Sequence, residues 1–126
     1  MLSTRRTDID RQEFVGAMAK VEYVTDDEIT EIVHRNIESN LYDGNTRGHR
    51  NLIVVMEELS ELIQQVSKQL RGTGDRIDLL EECADAVLAI KYIQDICNID
   101  DVTLRIAVAA KAKRVESVLN KDGIYL

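Results

Sequence analysis

Two long segments of helical apolar periodicity, separated only by the five residues RGTGD at 71–75, constrain this chain more than any other feature. From about Arg50 to Leu70, the residues Leu52, Val55, Met56, Leu59, Leu62, Ile63, Val66 and Leu70 recur at intervals of three and four, one stripe of an amphipathic helix. From about Arg76 to Cys97 the pattern is different. Leu79, Leu80, Cys83, Ala84, Ala86, Val87, Leu88, Ala89, Ile90, Ile93 and Ile96 leave almost no polar side, and a helix apolar all round is buried all round. Gly72 and Gly74 stop the first helix, and Asp75 or Thr73 can cap the second. So short a connection makes the two helices antiparallel neighbours. The chain has no proline to break either run.

The flanking segments read as helices too. Residues 9–23 would put Phe14, Val15, Met18 and Val21 on one side. Thr25-Asp26-Asp27-Glu28 fits a capping box, in which a threonine oxygen caps the helix start and a glutamate three residues on reaches back. The helix it opens carries Ile29, Ile32, Val33 and Ile37 inward and ends near Asn40. Residues 42–51, YDGNTRGHRN, read as a loop. NIDD, at 98–101, is a turn with a cap. A last helix, from about Asp101 to Leu119, turns Val102, Ile106, Ala109, Ala110 and Val115 inward. The expected fold is all-α: an antiparallel bundle of four to five helices in a single domain spanning 1–126, with helices in 1–45 preceding the core. A bundle this small cannot cover a helix apolar on every side, so a homo-oligomer, dimer or tetramer, is expected.

Charge and cysteine usage narrow the function classes. A formal charge of -7 argues against a nucleic-acid polymer as partner, because such proteins present clustered positive charge. An anionic ligand would need a bridging cation. The longest apolar run is far short of a membrane span, and no apolar stretch follows Arg5 and Arg6. Cys83 and Cys97, 14 residues apart on one helix, would sit roughly 21 Å apart along its axis, too far for a disulfide between them. They read as small core residues of a reducing compartment, and the chain as a soluble cytoplasmic protein.

The acids then require an account. Glu57, Glu58 and Glu61 fall within five positions of the first long helix. Glu58 borders the apolar stripe and Glu61 sits further round. Taken alone, EExxE is what a solvated helix edge looks like, with like charges that weaken the helix slightly. Glu82 and Asp85 shift the balance, because they occupy two places in a line that continues through Ala89, Tyr92 or Ile93, and Ile96. Aspartate is a poor helix-interior residue, and a buried carboxylate without a partner is costly. Lys91 lies on another face. An antiparallel hairpin can bring the two acidic pairs opposite each other, where cations relieve their repulsion. Oxygen donors without His or Cys suit hard ions, Mg²⁺ or Mn²⁺. A carboxylate-bridged di-iron bundle would use repeated Glu-x-x-His. That spacing occurs once, at Glu31 and His34, and His34 and His49 read as surface or loop residues.

EExxE, about twenty residues, then ExxD on two consecutive helices resembles the MazG-type all-α nucleoside triphosphate pyrophosphohydrolases, relatives of the dimeric dUTPases. The similarity extends over about 48–118 and includes the KAKRVE stretch of the last helix. It implies Mg²⁺-dependent cleavage between the α and β phosphates of a nucleoside triphosphate, giving a nucleoside monophosphate and pyrophosphate. It implies Glu58, Glu61, Glu82 and Asp85 as metal ligands. Glu57 would be a ligand, an outer partner of the ligands, or the base that orients water. Lys111 and Arg114 match the lysine and arginine that such proteins carry in the last helix, and would contact phosphate. Their plainer reading is a solvated helix end favoured by the helix dipole. Alternatives within the resemblance are action on dUTP, dCTP or phosphoribosyl-ATP. The alternative outside it is a helical interaction module without catalysis. RGTGD has no preceding strand and is a turn, not a phosphate loop.

Overall fold

The computed structural model describes residues 8–40 and 46–121. It is all-helical, with no strand among the described residues. The helices are α1 (Asp8–Lys20), α2 (Asp26–Ser39), α3 (His49–Leu70), α4 (Arg76–Cys97) and α5 (Asp101–Lys121). The loop expected over 42–51 lies partly outside the described residues, and α3 takes its last three positions.

Local chemistry sets the helix ends. Thr25 Oγ1 accepts from the Glu28 amide at 3.1 Å, and the Glu28 carboxylate accepts from the Thr25 amide at 3.4 Å, completing the expected capping box. Asp75, not Thr73, caps α4, accepting from the amides of Ile77 (2.8 Å) and Asp78 (3.3 Å). Gly48 caps the start of α3 in the left-handed conformation, with φ of 79°. It lies beneath Ile96, where a Cβ would stand 2.6 Å from the isoleucine Cγ1. Both requirements select glycine.

The hairpin of α3 and α4 forms the centre, α2 lies across α4, and α1 meets α4 near its start through Arg11 Nη2, 2.6 Å from Asp75 Oδ2. The apolar core of the described residues is small: Val33 and Ile37 of α2, Val55 of α3, and Ala86 and Ala89 of α4. An equal number of polar residues is buried with them, namely Asn51, Glu58, Gln65, Glu82 and Gln94. Five apolar side chains, two of them alanine, are a thin core for a domain of this size.

That core corrects several expectations. On α3 the buried line runs through Asn51, Val55, Glu58 and Gln65, so Glu58 lies within the inner face and does not merely border it. The adjacent line, rotated by about 100°, contains Met56, Ile63, Val66 and Leu70, all exposed. Helix α4 is likewise not covered all round. Glu82, Ala86 and Ala89 point in, while Leu80, Val87 and Ile90 are exposed. Cys83 and Cys97 are free and exposed and are not core residues. The expected burial of Ile32 does not occur, and Val21 lies beyond the end of α1 and is exposed. On α5 no residue is buried, and Val102 and Ile106 are exposed. Periodicity shows which residues share a face, and the packing of α2, α3 and α4 leaves these faces exposed in the single chain.

Candidate metal and nucleotide site

The antiparallel hairpin brings the two acidic pairs together, with positions rising along α3 as they fall along α4. Carboxylate oxygens of Glu58, Glu61 and Glu82 lie within 4.8 Å of one another. Asp85, one turn beyond Glu82, faces Glu58. Glu58 and Glu82 are buried, at 5% and 2% exposure, and Glu61 and Asp85 are half-buried.

Glu58 is strongly perturbed. Neither of its oxygens meets solvent, and among the described residues no N–H donor reaches either one. The group facing it is another carboxylate, that of Asp85, and the two can share a proton. Burial, then the charge and hydrogen bond of Asp85, then the charges of Glu61 and Glu57, push the Glu58 carboxyl up to about 7 from its ordinary 4.5. Glu57 precedes Glu61 by one turn, is half-buried, and keeps Oε2 shielded from solvent without a hydrogen-bond partner among the described residues.

The donor set fits a hard divalent cation. It is made of oxygens alone, converges from two helices, and contains a buried carboxylate, Glu58, whose oxygens have no hydrogen-bond donor among the described residues. Glu58, Glu61, Glu82 and Asp85 are the residues that would hold such an ion.

Lys111 and Arg114 stand elsewhere. Both are exposed on α5, and neither lines the cavity that opens beside the acids. Lys91, set aside as lying on another face, pairs with Asp101 at 3.8 Å. His34 is not a ligand of this cluster, because its Nδ1 lies 2.9 Å from Asp95 Oδ2. Arg47 bonds both Asp95 and Glu38, at 2.9 Å to the latter, so the segment preceding α3 is clamped to α2 and α4. Lys68, Arg71 and Arg76, near the hairpin turn, are exposed.

Next to Glu58 and Asp85, a cavity of about 300 Å³ opens between α2, α3 and α4. Besides Glu58 and Asp85, its polar lining includes Asn36, Asn40, Arg50, Asn51 and Tyr92; of these only Tyr92 lies on a line the sequence pointed to, that of Glu82 and Asp85. Asn51 carried a usable signal: it is a carboxamide one heptad before Glu58, on the line that proves to face inward. Asn36 and Asn40 carried none, since their neighbourhood depends on how α2 crosses α4.

No family model, curated protein or solved structure matches this chain. Among the described residues no helix is long and apolar enough to cross a membrane.

Proposed function

We propose that this protein is a Mg²⁺-dependent nucleoside triphosphate pyrophosphohydrolase that releases a nucleoside monophosphate and pyrophosphate, with Mn²⁺ as a substitute ion. The supporting observation is Glu58, a carboxylate buried in the hairpin whose own oxygens meet no N–H donor among the described residues and which faces the carboxylates of Asp85, Glu61 and Glu57. A packing role alone would favour leucine there. A bound divalent ion would neutralise triphosphate charge and polarise the α-phosphorus.

The chain's own groups carry the remaining roles. Glu58, Glu61, Glu82 and Asp85 hold the ion and so join a polyanionic substrate to an acidic protein. Glu57 takes the proton of the attacking water through its unpartnered Oε2 as the water oxygen bonds to the α-phosphorus. The bond from that phosphorus to the bridging oxygen breaks, and pyrophosphate leaves with the electron pair. Lys111 and Arg114 reach phosphate only if α5 is brought over a site, which assigns them to an assembled form.

Assembly belongs to the same proposal. The exposed lines Met56, Ile63, Val66 on α3 and Leu80, Val87, Ile90 on α4, together with the uncovered α5, are covered by further copies of the chain in a homodimer or homotetramer. Light scattering should show a mass of at least two chains, and Ile63→Lys with Val87→Lys should lower it.

The activity is tested by incubating the common ribo- and deoxynucleoside triphosphates with Mg²⁺ and measuring pyrophosphate. Release is expected from at least one, and Glu61→Gln or Asp85→Asn should abolish it with the helical circular dichroism intact. No release from any of them by folded protein, or turnover surviving both substitutions, refutes the assignment.

A further inference from the structure

We infer that the cavity between α2, α3 and α4 is a nucleobase subsite, read by the carboxamides of Asn40, Asn51 and Asn36 together with Tyr92. The inference rests on the nucleotide reading above and adds how the base is recognised. Glu58 and Asp85 line the same cavity as these four residues, so a nucleotide whose phosphates meet the acids has its base within reach of the amides. At about 300 Å³ the cavity is at the small end of the range for ligand pockets. Val54 and Leu88 supply apolar wall for the faces of a ring.

The hydrogen bonds run in one direction. Asn40 Nδ2 donates to Asn51 Oδ1 at 3.1 Å, and Asn51 Nδ2 donates to Asn36 Oδ1 at 3.1 Å. The Tyr92 hydroxyl donates to that same Asn36 oxygen at 2.9 Å. Both lone pairs of Asn36 Oδ1 are then used. The ends of the chain remain open: Asn36 Nδ2 and Asn40 Oδ1 have no partner among the described residues. The network thus offers the cavity an open amide donor group, Asn36 Nδ2, at one end and an open acceptor, Asn40 Oδ1, at the other. That is the complement of a nucleobase's pairing edge, which carries a donor beside an acceptor. Asn51 holds the arrangement in place, buried at 6% exposure on the inner line of α3, where an apolar residue would pack without needing partners. Neutral carboxamides also suit a recognition site next to acids, since they neither repel the acids nor pair with them.

The test uses nucleosides, which carry no phosphate and need no metal. The full chain in EDTA is titrated with uridine, cytidine, adenosine and guanosine, and the side-chain amide resonances of Asn36, Asn40 and Asn51 are followed by NMR. At least one nucleoside should shift them, and methylating its pairing edge, at N3 of a pyrimidine or N1 of a purine, should weaken binding by about tenfold or more. Asn36→Asp, which exchanges a donor for an acceptor at constant shape, should change the order of preference among the four. Absence of any shift, equal binding of the methylated nucleoside, or an unchanged order in Asn36→Asp overturns the inference. Pyrophosphate release with Mg²⁺ is measured in parallel. Turnover without a carboxamide response removes the base subsite alone. A carboxamide response without turnover removes the hydrolase and leaves the base subsite in place.

Discussion

Glu58 couples stability to function in a way that can be measured. With its carboxyl raised from 4.5 to about 7, the fold holds the Glu58 proton more tightly than the unfolded chain does. Each decade of acidity constant is worth about 1.4 kcal/mol, so ionising this group in the fold costs about 3 kcal/mol. The sign follows from linkage. The native state binds the extra proton, so without a divalent ion, stability falls as pH rises from about 4.5 to about 7 and levels off above. The loss is a large share of the 5–15 kcal/mol typical of a domain. A cation bound among the acids should offset it, because it favours the ionised carboxylate. Urea unfolding at fixed protein concentration, at pH 5 and pH 8, in EDTA and in Mn²⁺, reads all four corners. Glu58→Gln is the control, keeping the shape and removing the titration. In EDTA at pH 8 it should be about 3 kcal/mol more stable than the native sequence, should gain nothing from Mn²⁺, and should lose turnover. If Glu58→Gln shows the same fall in stability from pH 5 to pH 8, or the same gain from Mn²⁺, the argument for a destabilised ligand fails.

Three further outcomes test the scaffold. Ile37→Ala removes the one fully buried large side chain of α2 and should cost about 3 kcal/mol, seen as a fall in melting temperature of roughly 10 °C. Gly48→Ala meets both the left-handed backbone and Ile96 and should cost about 3 kcal/mol from strain and overpacking together, a loss that Gly72→Ala, with no atom in its way, should not match. The hydrogen bond and charge of Asp95 raise His34 above its ordinary 6.5. Its stabilisation is therefore present below pH 6.5 and fades as pH rises through the raised value. An NMR titration should place the His34 midpoint above 6.5, and Asp95→Asn should return it; a native midpoint at or below 6.5 would contradict the clamp.

Short-range physics made much of the fold legible. The Thr25 box, the Asp75 cap, the glycine stop after α3 and the helical periodicity each involve residues within about one turn of one another, and each gave the right element within a few residues. The acidic pairs were legible for the same reason: a spacing of three fixes a shared face, and a short turn fixes the pairing of two helices. Rotation was not legible. The α3 stripe read from hydrophobicity lies beside the buried one, so the inner line holds Asn51, Glu58 and Gln65 while Met56 and Ile63 face out. Hydrophobicity ranks which residues would gain from burial, and which of them the bundle buries depends on how each helix is rotated against its neighbours.

Its residues alone thus determine that this protein is helical, where the helices start and stop, and that two acidic pairs face each other across a hairpin. Tertiary structure decided that Glu58 and Glu82 are the acids buried in the hairpin, that no residue of α5 is buried, and that Asn36, Asn40, Asn51 and Tyr92 meet in one cavity beside the acids. Helix formation and capping depend on neighbours along the chain. The environment of a carboxylate or an amide depends on which helices cross it, and that is set only when the helices pack.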